Sequence, residues 1–298
     1  MKLKYGWCLL ALLAMSTRSE AATKTGSVDV GDHARIHYLQ AGPENATRTL
    51  LFIPGWTISA SIWSKQVAYF EARGYRVITI DPRSQGGSTV VMTANAPEDR
   101  ASDIAQVIAQ LKLHDIVLIG WSQGAQDVAA YVARYGSANI SGFVLVDSPV
   151  SGGVNDVREN PEFVSNVMQS VSAYASDPPA YIDRLMHAII STPTTPQVYA
   201  KLDEEALKTP SDVGVSMLVQ DLFTVDRRPS LRQFAKPTLV VASSKSPLLD
   251  QQRKMLEVLP SARLIVIEKA AHAVFFDQPE EFNQDLDAFI TSLRGQKS

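Results

Sequence analysis

A strand–turn–helix segment with a serine at its centre constrains this chain more than any other feature. Residues 115–119 are a short apolar, β-branched run typical of a buried strand, and residues 125–135 have a helical pattern that ends at a glycine. Between them stands GWSQG, residues 120–124. Glycine at both ends of this pentapeptide permits a turn so tight that the serine hydroxyl projects clear of the sheet. The segment therefore predicts a nucleophile elbow, with Ser122 as nucleophile and the backbone N–H of Gln123 facing the reacting oxygen.

The first 21 residues are typical of a cleavable signal peptide. Lys2 and Lys4 form a basic start, and the apolar stretch at residues 5–15 is too short to span a bilayer as a stable helix. Small residues at positions 19 and 21 fit a signal peptidase, so we expect cleavage after Ala21. An uncleaved anchor is disfavoured because the chain becomes polar directly after the apolar stretch. The expected location is secreted or periplasmic, with no stable membrane anchor after cleavage.

Composition narrows the possible chemistry further. Cys8, the single cysteine, lies in the predicted signal peptide, so the mature chain would have no thiol for catalysis, disulfides or metal binding. The net charge of −3 is weak, and no basic run extends beyond Arg227-Arg228, so nothing supports a nucleic-acid or anionic-membrane partner. The length suits one large α/β domain with an insertion, and it leaves the oligomeric state open.

Strand and helix patterns alternate along the chain, which predicts a mostly parallel sheet with helices on both faces. An antiparallel hairpin is expected to open the fold. The predicted strands are residues 27–30, 34–40, 49–53, 75–80, 115–119, 142–146, 237–242 and 263–267, and the predicted helices are residues 61–73, 97–111, 125–135 and 279–293. Residues 22–147 and 227–298 would together form this core.

Residues 148–226 contain no convincing strand and are expected to form several short helices separated by prolines. A helical insertion at this point would lie over the carboxyl edge of the sheet as a lid. Its apolar side chains could line a pocket, or they could simply hold the lid helices together. These side chains are Phe163, Val167, Met168, Tyr174, Leu185, Met186, Leu218 and Phe223.

With these motifs in order, the chain resembles the α/β-hydrolase superfamily, and within it the small esterases and the cofactor-free haloperoxidases or perhydrolases. The matching segments are residues 51–56, 81–88, 120–124 and 270–272. Two departures are visible. Pro54 stands where the family usually has histidine, and Pro82 and Ser84 interrupt the family's D-x-R-G-x-G-x-S turn, which we expect to be structural.

The resemblance implies an acyl-transfer site. Serine needs a base to accept its proton and donors to hold the oxyanion. His272 follows the last predicted strand, where the family's catalytic histidine lies. The oxyanion donors would be the backbone N–H groups of Gln123 and Trp56, and the Trp56 ring could also form a pocket wall or a part of the core. Surface or packing roles are expected for the other four histidines: His33, His37, His114 and His187.

The acid that orients the histidine is the difficult assignment. Family members commonly carry it after the strand at residues 237–242, but the aligned position here is Ser246. Loss of that charge costs on the order of 10⁴ in the turnover of a serine protease, so a working enzyme should have replaced it. Asp147 is the preferred replacement, since certain lipases of the superfamily take their acid from this neighbouring strand end. Asp147 could instead brace the lid, and Asp250 is the next candidate.

We therefore expect a serine hydrolase that cleaves a small or medium carboxylic ester, lactones included, through an acyl-enzyme. The catalytic residues would be Ser122, His272 and Asp147, with no metal or organic cofactor. Serine at the nucleophile position argues against dehalogenases and epoxide hydrolases of this fold, which use aspartate there. A perhydrolase or haloperoxidase would use the same residues. A non-catalytic ligand-binding protein is the alternative that Ser246 suggests, although intact Ser122 and His272 argue against it.

Overall fold

An eight-stranded sheet with the strand order β1-β2-β4-β3-β5-β6-β7-β8 forms the centre of the protein. The computed structural model describes residues 23–293, so the predicted signal peptide and Cys8 lie outside the described residues. The strands are β1 Lys24–Gly31, β2 Ala34–Ala41, β3 Thr49–Ile53, β4 Arg76–Ile80, β5 Ile116–Trp121, β6 Ile140–Val146, β7 Thr238–Ser243 and β8 Ala262–Ile267. β2 pairs antiparallel with β1 and with β4, and all other pairs are parallel. The expected mostly parallel sheet is confirmed.

Twelve α-helices lie within residues 23–293. A short 3₁₀ helix, Ala60–Trp63, leads into α1. The helices are α1 Ser64–Glu71, α2 Pro97–Gln110, α3 Gln123–Tyr135, α4 Val154–Glu159, α5 Pro161–Ser176, α6 Pro178–Ile189, α7 Pro196–Ala206, α8 Ser211–Phe223, α9 Arg228–Leu231, α10 Leu249–Val258, α11 Val274–Asp277 and α12 Pro279–Ser292. Each of them falls short of the length and apolar content that a membrane crossing requires.

Both faces of the sheet are covered, which explains the continuous apolar runs of the central strands. In β5, Val117 and Ile119 enter one core, which they share with Trp63 and other side chains of the α1 and α12 side. Leu118 points to the opposite face and packs with side chains of α2, α3 and α10. Because successive side chains of a strand alternate between faces, a strand buried on both sides needs apolar residues throughout.

Between β6 and α9 the described chain forms only helices, α4 to α8, as the proline spacing predicts. The prolines begin helices as well as separating them: Pro161, Pro178 and Pro196 are the first residues of α5, α6 and α7. This first position suits proline, because its missing N–H would have no partner inside the helix. Asn160 and Asp177 cap α5 and α6 by accepting hydrogen bonds from backbone N–H groups.

A buried ion cluster joins this helical insertion to the core. Arg100 of α2 donates from Nε to Oδ1 of Asp127 in α3 at 2.8 Å, and from Nη2 to Asp221 in α8. All three side chains are at most 3% exposed. One guanidinium faces two carboxylates, and burial raises the pKa of both Asp127 and Asp221 even though Arg100 lowers it. The cluster ties α3, the helix that follows Ser122, to the insertion.

Removal of the shared cation should destabilise the protein strongly. We expect Arg100→Met to lower the free energy of unfolding by about 3–5 kcal/mol, because it leaves two buried carboxylates without a counter-ion. Urea titration followed by circular dichroism measures this change. The control is Arg253→Met, which removes an exposed partner of Asp250 and should cost less than about 1 kcal/mol. Equal losses in the two variants would contradict this reading of the cluster.

Candidate active site

Ser122 lies at the turn between β5 and α3. Its backbone has φ +56° and ψ −118°, a conformation that residues other than glycine rarely adopt. Neighbouring backbone fills the space on both sides of the turn. A Cβ on Gly120 would overlap the carbonyl oxygen of Gly124, and a Cβ on Gly124 would lie 2.5 Å from the carbonyl oxygen of Ile53. The turn can therefore form only with glycine at both positions. The Ser122 N–H donates to the carbonyl of Val146 at 3.1 Å, which fixes the turn against β6.

His272 lies in the loop between β8 and α11, and its Nδ1 is 2.8 Å from Oδ2 of Asp147. This separation falls within the hydrogen-bond range expected for a base and its orienting acid. The His272 ring is 29% exposed and the Asp147 side chain 1% exposed. Trp121 supports the loop by donating from Nε1 to the His272 carbonyl at 3.0 Å. Within residues 23–293, no hydrogen bond joins Ser122 Oγ to His272. In enzymes without bound substrate, the hydrogen bond between nucleophile and base is often long, and it shortens when substrate binds.

Asp147 follows β6 with φ +44°, and three hydrogen bonds hold its carboxylate. Oδ2 faces His272, while Oδ1 accepts from the backbone N–H of Ser243 at 2.8 Å and from Nε2 of Gln252 at 2.9 Å. Its own N–H donates to the Val241 carbonyl at 2.7 Å. The sequence analysis missed Ser243 and Gln252, and no motif singles out either of them.

The two other positions considered for the acid lie elsewhere. Asp250 is in the first turn of α10, where its side chain is 83% exposed and bonds Arg253. Ser246 accepts a hydrogen bond from Nε2 of Gln252 at 3.1 Å. The structure therefore brings Asp147, and not Asp250, to the ring of His272.

Two free backbone donors lie beside the serine. Gly55 packs against Ser122, since a Cβ on this glycine would lie 3.2 Å from the serine Cβ. In the described part of the chain, the backbone N–H groups of Trp56 and Gln123 donate no hydrogen bond. Nε1 of the Trp56 indole donates to the Gly214 carbonyl of α8 at 2.9 Å, which ties this loop to the insertion. Two unpaired N–H groups on neighbouring turns suit an oxyanion hole.

The turn at residues 81–88 supports the loop that carries Trp56. Nε2 of Gln85 donates to the carbonyls of Gly55 and Ile58, each at 3.0 Å, and Oε1 of Gln85 accepts from the Thr57 N–H at 3.2 Å. Gln85 is 1% exposed. These bonds are consistent with the structural role expected for this turn. Sequence analysis placed the turn but did not single out Gln85.

The Gln123 side chain links the second donor to the buried ion cluster. The hydrogen bonds of the Gln123 amide are formed when its Oε1 faces the Arg100 guanidinium. In this orientation Oε1 accepts hydrogen bonds from Nε and Nη2 of Arg100, each at 3.1 Å. Arg100 therefore contacts the first residue of α3 as well as Asp127 one turn later. This contact fixes the start of the helix next to the serine.

Ser122 and His272 both line a cavity of about 550 Å³. Its walls are mostly apolar and come from the insertion and from the loops of the core: Trp56, Ile58, Phe163, Val167, Tyr181, Leu185, Ile189, Leu218, Leu222 and Leu248. Glu162 is the only carboxylate among the lining residues, and no lysine or arginine is present among them. A cavity of this size, with few polar groups, suits a small-molecule ligand.

The insertion side chains proposed for the pocket fall into two groups. Phe163, Val167, Leu185 and Leu218 line the cavity. Tyr174 and Met186 instead pack in the core, where they are 1% and 0% exposed. The pocket interpretation is wrong for Met168, which is 44% exposed, because it lies on the outer side of α5. The Phe223 ring packs against that of Phe163 with centroids 6.4 Å apart.

The other four histidines lie away from the serine. His37 bonds Asp81 at 2.7 Å and Thr25 at 2.7 Å, and the bond to Asp81 raises the pKa of His37. His187 stacks on a tyrosine ring at 4.0 Å, and His33 and His114 are exposed. Within residues 23–293, no group of three or more histidine and carboxylate side chains is arranged to hold a metal ion.

Curated relatives cover nearly the whole of this chain. A non-heme haloperoxidase of Rhodococcus erythropolis is 28% identical over 281 residues, which are 89% of this chain and 99% of that protein. A bifunctional esterase/perhydrolase of Acinetobacter calcoaceticus is 27% identical over 282 residues, which are 90% of this chain and 100% of that protein. In both cases the similarity extends along almost the full length of the two proteins.

Solved structures share the fold. A bromoperoxidase from Bacillus anthracis superposes with a TM-score of 0.81 at 22% identity, covering 90% of this chain and 100% of that one. An esterase from Exiguobacterium antarcticum gives a TM-score of 0.80 at 21% identity, covering 89% and 98%. The sequence model described as the alpha/beta hydrolase family matches residues 50–285. With the elbow, the sheet order and this match in agreement, the chain belongs to the alpha/beta hydrolase family.

Proposed function

We propose that this hydrolase is a serine esterase that acts on small or medium neutral carboxylic esters, lactones included. The observation that carries the proposal is the 2.8 Å hydrogen bond between His272 and Asp147 beside the cavity that Ser122 lines. A base held by a buried carboxylate, next to a serine that lines a cavity, is the arrangement that acyl transfer requires. The bifunctional esterase/perhydrolase relative supports the same reaction class.

In the proposed reaction, Ser122 Oγ attacks the ester carbonyl while His272 Nε2 accepts its proton. Asp147 holds the tautomer in which Nδ1 carries hydrogen and stabilises the imidazolium that forms. The negative charge on the former carbonyl oxygen lies between the backbone N–H groups of Trp56 and Gln123. In the described residues neither N–H donates a hydrogen bond that would have to break first. His272 then protonates the leaving alcohol, and an acyl-enzyme remains on Ser122.

Water completes the cycle through the same residues. His272 removes a proton from water, the hydroxide adds to the acyl carbon, and Ser122 leaves with that proton. Hydrogen peroxide in place of water would yield a peracid without any further residue, so perhydrolysis is the second candidate activity. The observation that favours it is the esterase/perhydrolase relative, which matches over its full length.

The cavity suggests the class of ester. Its walls are apolar, and its one carboxylate, Glu162, would repel a substrate that carries a free carboxylate. Without a lysine or arginine in the lining, such a substrate would also lack a counter-ion. We therefore propose neutral esters as substrates. We further propose that the protein meets them in the secreted or periplasmic compartment, on the basis of the signal-like residues 1–21.

Replacement of the nucleophile tests the proposal directly. Ser122→Ala should abolish hydrolysis of p-nitrophenyl butyrate and labelling by a fluorophosphonate probe, with the melting temperature nearly unchanged because the side chain projects from the turn. Turnover and labelling of wild type and variant are measured together. Retained labelling would mean that another serine reacts. A wild-type protein that neither turns over nor labels would favour the ligand-binding alternative.

Asp147→Asn tests the acid. The amide has no charge and can hold the wrong tautomer of His272, so kcat should fall by roughly 10³–10⁴ while the fold is kept. The control is Asp250→Asn, which changes an exposed carboxylate and should leave kcat within about twofold. Ser246→Asp added to Asp147→Asn should partly restore turnover, because position 246 aligns with the place where family members commonly carry the acid. Near-normal kcat in Asp147→Asn would contradict the assignment.

A substrate pair tests the charge of the cavity. Wild type should prefer p-nitrophenyl butyrate to p-nitrophenyl hydrogen glutarate by about tenfold or more in kcat/KM. A repulsion of about 1.4 kcal/mol between Glu162 and the carboxylate of the glutarate ester is sufficient for a tenfold difference. Glu162→Gln should reduce this preference severalfold. Glu159→Gln, outside the cavity lining, is the control and should leave the ratio unchanged. Equal use of both esters by wild type would overturn the neutral-ester proposal.

A further inference from the structure

The carboxylate of Asp147 receives a side-chain hydrogen bond that the proposed mechanism does not use. Oδ2 faces His272, and Oδ1 accepts from Nε2 of Gln252 at 2.9 Å in addition to the backbone bond from Ser243. Gln252 lies on α10 and is 0% exposed. The bond joins a fully buried amide to a carboxylate that is itself 1% exposed. A charge-assisted hydrogen bond in such surroundings is stronger than one between neutral groups.

The groups that surround the Gln252 side-chain amide allow it only one orientation. Nε2 carries two hydrogens, of which one points to Asp147 and the other to the Ser246 hydroxyl at 3.1 Å. Rotation of the amide by half a turn would place Oε1 against the carboxylate, which can only accept. In the observed orientation Oε1 is buried without a partner in the described residues. An unpaired buried acceptor costs free energy, so packing alone would favour an apolar side chain at this position.

We propose that Gln252 is a positioning residue of the catalytic machinery: its amide holds the Asp147 carboxylate so that Oδ2 faces His272. The inference rests on the proposed function of Asp147. Ser246 completes the arrangement, because its hydroxyl accepts the second hydrogen of the amide and stops the amide from turning. A carboxylate that could rotate about its Cβ–Cγ bond would present Oδ2 to His272 for only part of the time.

Loss of this donor has two expected consequences. The carboxylate is less well held, so kcat should fall by about tenfold. KM should change by less than about threefold, since Gln252 is not among the residues that line the cavity. The Asp147 carboxylate also accepts one hydrogen bond fewer, so its negative charge is less stabilised. The proton affinity of the Asp147–His272 pair therefore rises. The titration midpoint of the His272 ring should therefore move to higher pH.

The chain offers a matched control. Gln66 of α1 is also 0% exposed, and its Nε2 likewise donates twice, to the Phe275 carbonyl at 3.0 Å and to Oδ1 of Asn283 at 3.1 Å. Its Oε1 too has no partner in the described residues. Gln66→Met and Gln252→Met therefore each remove two hydrogen bonds from a fully buried site, and only the second removes a donor to Asp147.

The experiment follows the His272 ring by ¹⁵N NMR of the whole protein between pH 4.5 and 9, with His272→Gln to assign its signals. We expect Gln252→Met to raise the midpoint by several tenths of a pH unit and Gln66→Met to leave it unchanged. In wild type, the side-chain amide signal of Gln252 should follow the same titration and that of Gln66 should not. This second measurement needs no folded variant.

The outcomes separate the two proposals. An unshifted midpoint in Gln252→Met, or an equal shift in Gln66→Met, overturns the positioning role. So does a Gln252 amide signal that ignores the His272 titration in wild type. These readings require no substrate, so they hold even if the protein cleaves no ester, which is a failure that the Ser122→Ala experiment detects separately.

Discussion

The close approach of α3 to the end of β3 is the contact on which the rest of the site depends. Gly124 lies so near the Ile53 carbonyl that no side chain fits between them. This contact sets the first turn of α3 directly beside the loop that carries Trp56. The serine, its own neighbouring N–H and the N–H of Trp56 are thereby gathered around one point without any long-range adjustment.

The remaining parts of the site are held by buried polar side chains from elements far apart in the chain. Gln85 supports the loop that carries Trp56, Arg100 contacts Gln123, and Gln252 donates to Asp147. Each is almost fully buried and bonds a residue of the proposed site or the loop beside it. A preorganised site needs such support, because donors and base must already be in place when charge develops.

The proposed acid, Asp147, follows a different strand from the one that the family resemblance implies. β6 and β7 are adjacent and parallel, so their carboxyl ends lie at the same edge of the sheet and a histidine loop can reach either one. With serine at position 246, the carboxylate that reaches His272 is that of Asp147 at the end of β6. The residue at 246 remains part of the hydrogen-bond chain through Gln252. In the proposed site the acid therefore follows β6, while the base and the nucleophile stand where the family resemblance places them.

Local patterns in the chain were sufficient for the strands, the main helices, the all-helical insertion and the elbow. The period of apolar residues, the spacing of glycines and the positions of prolines can all be read from residues close together in the sequence. These elements can therefore be predicted without knowledge of distant contacts. Met168 and Tyr174 show where such patterns fail: both are apolar and helical, yet one faces outward and the other enters the core. The contact of Asp147 with His272, which are 125 residues apart, and the three buried supporting side chains depend on how strands and helices pack. No local pattern encodes such contacts, because a glutamine or arginine has the same propensity whether its partner is water or a catalytic carboxylate.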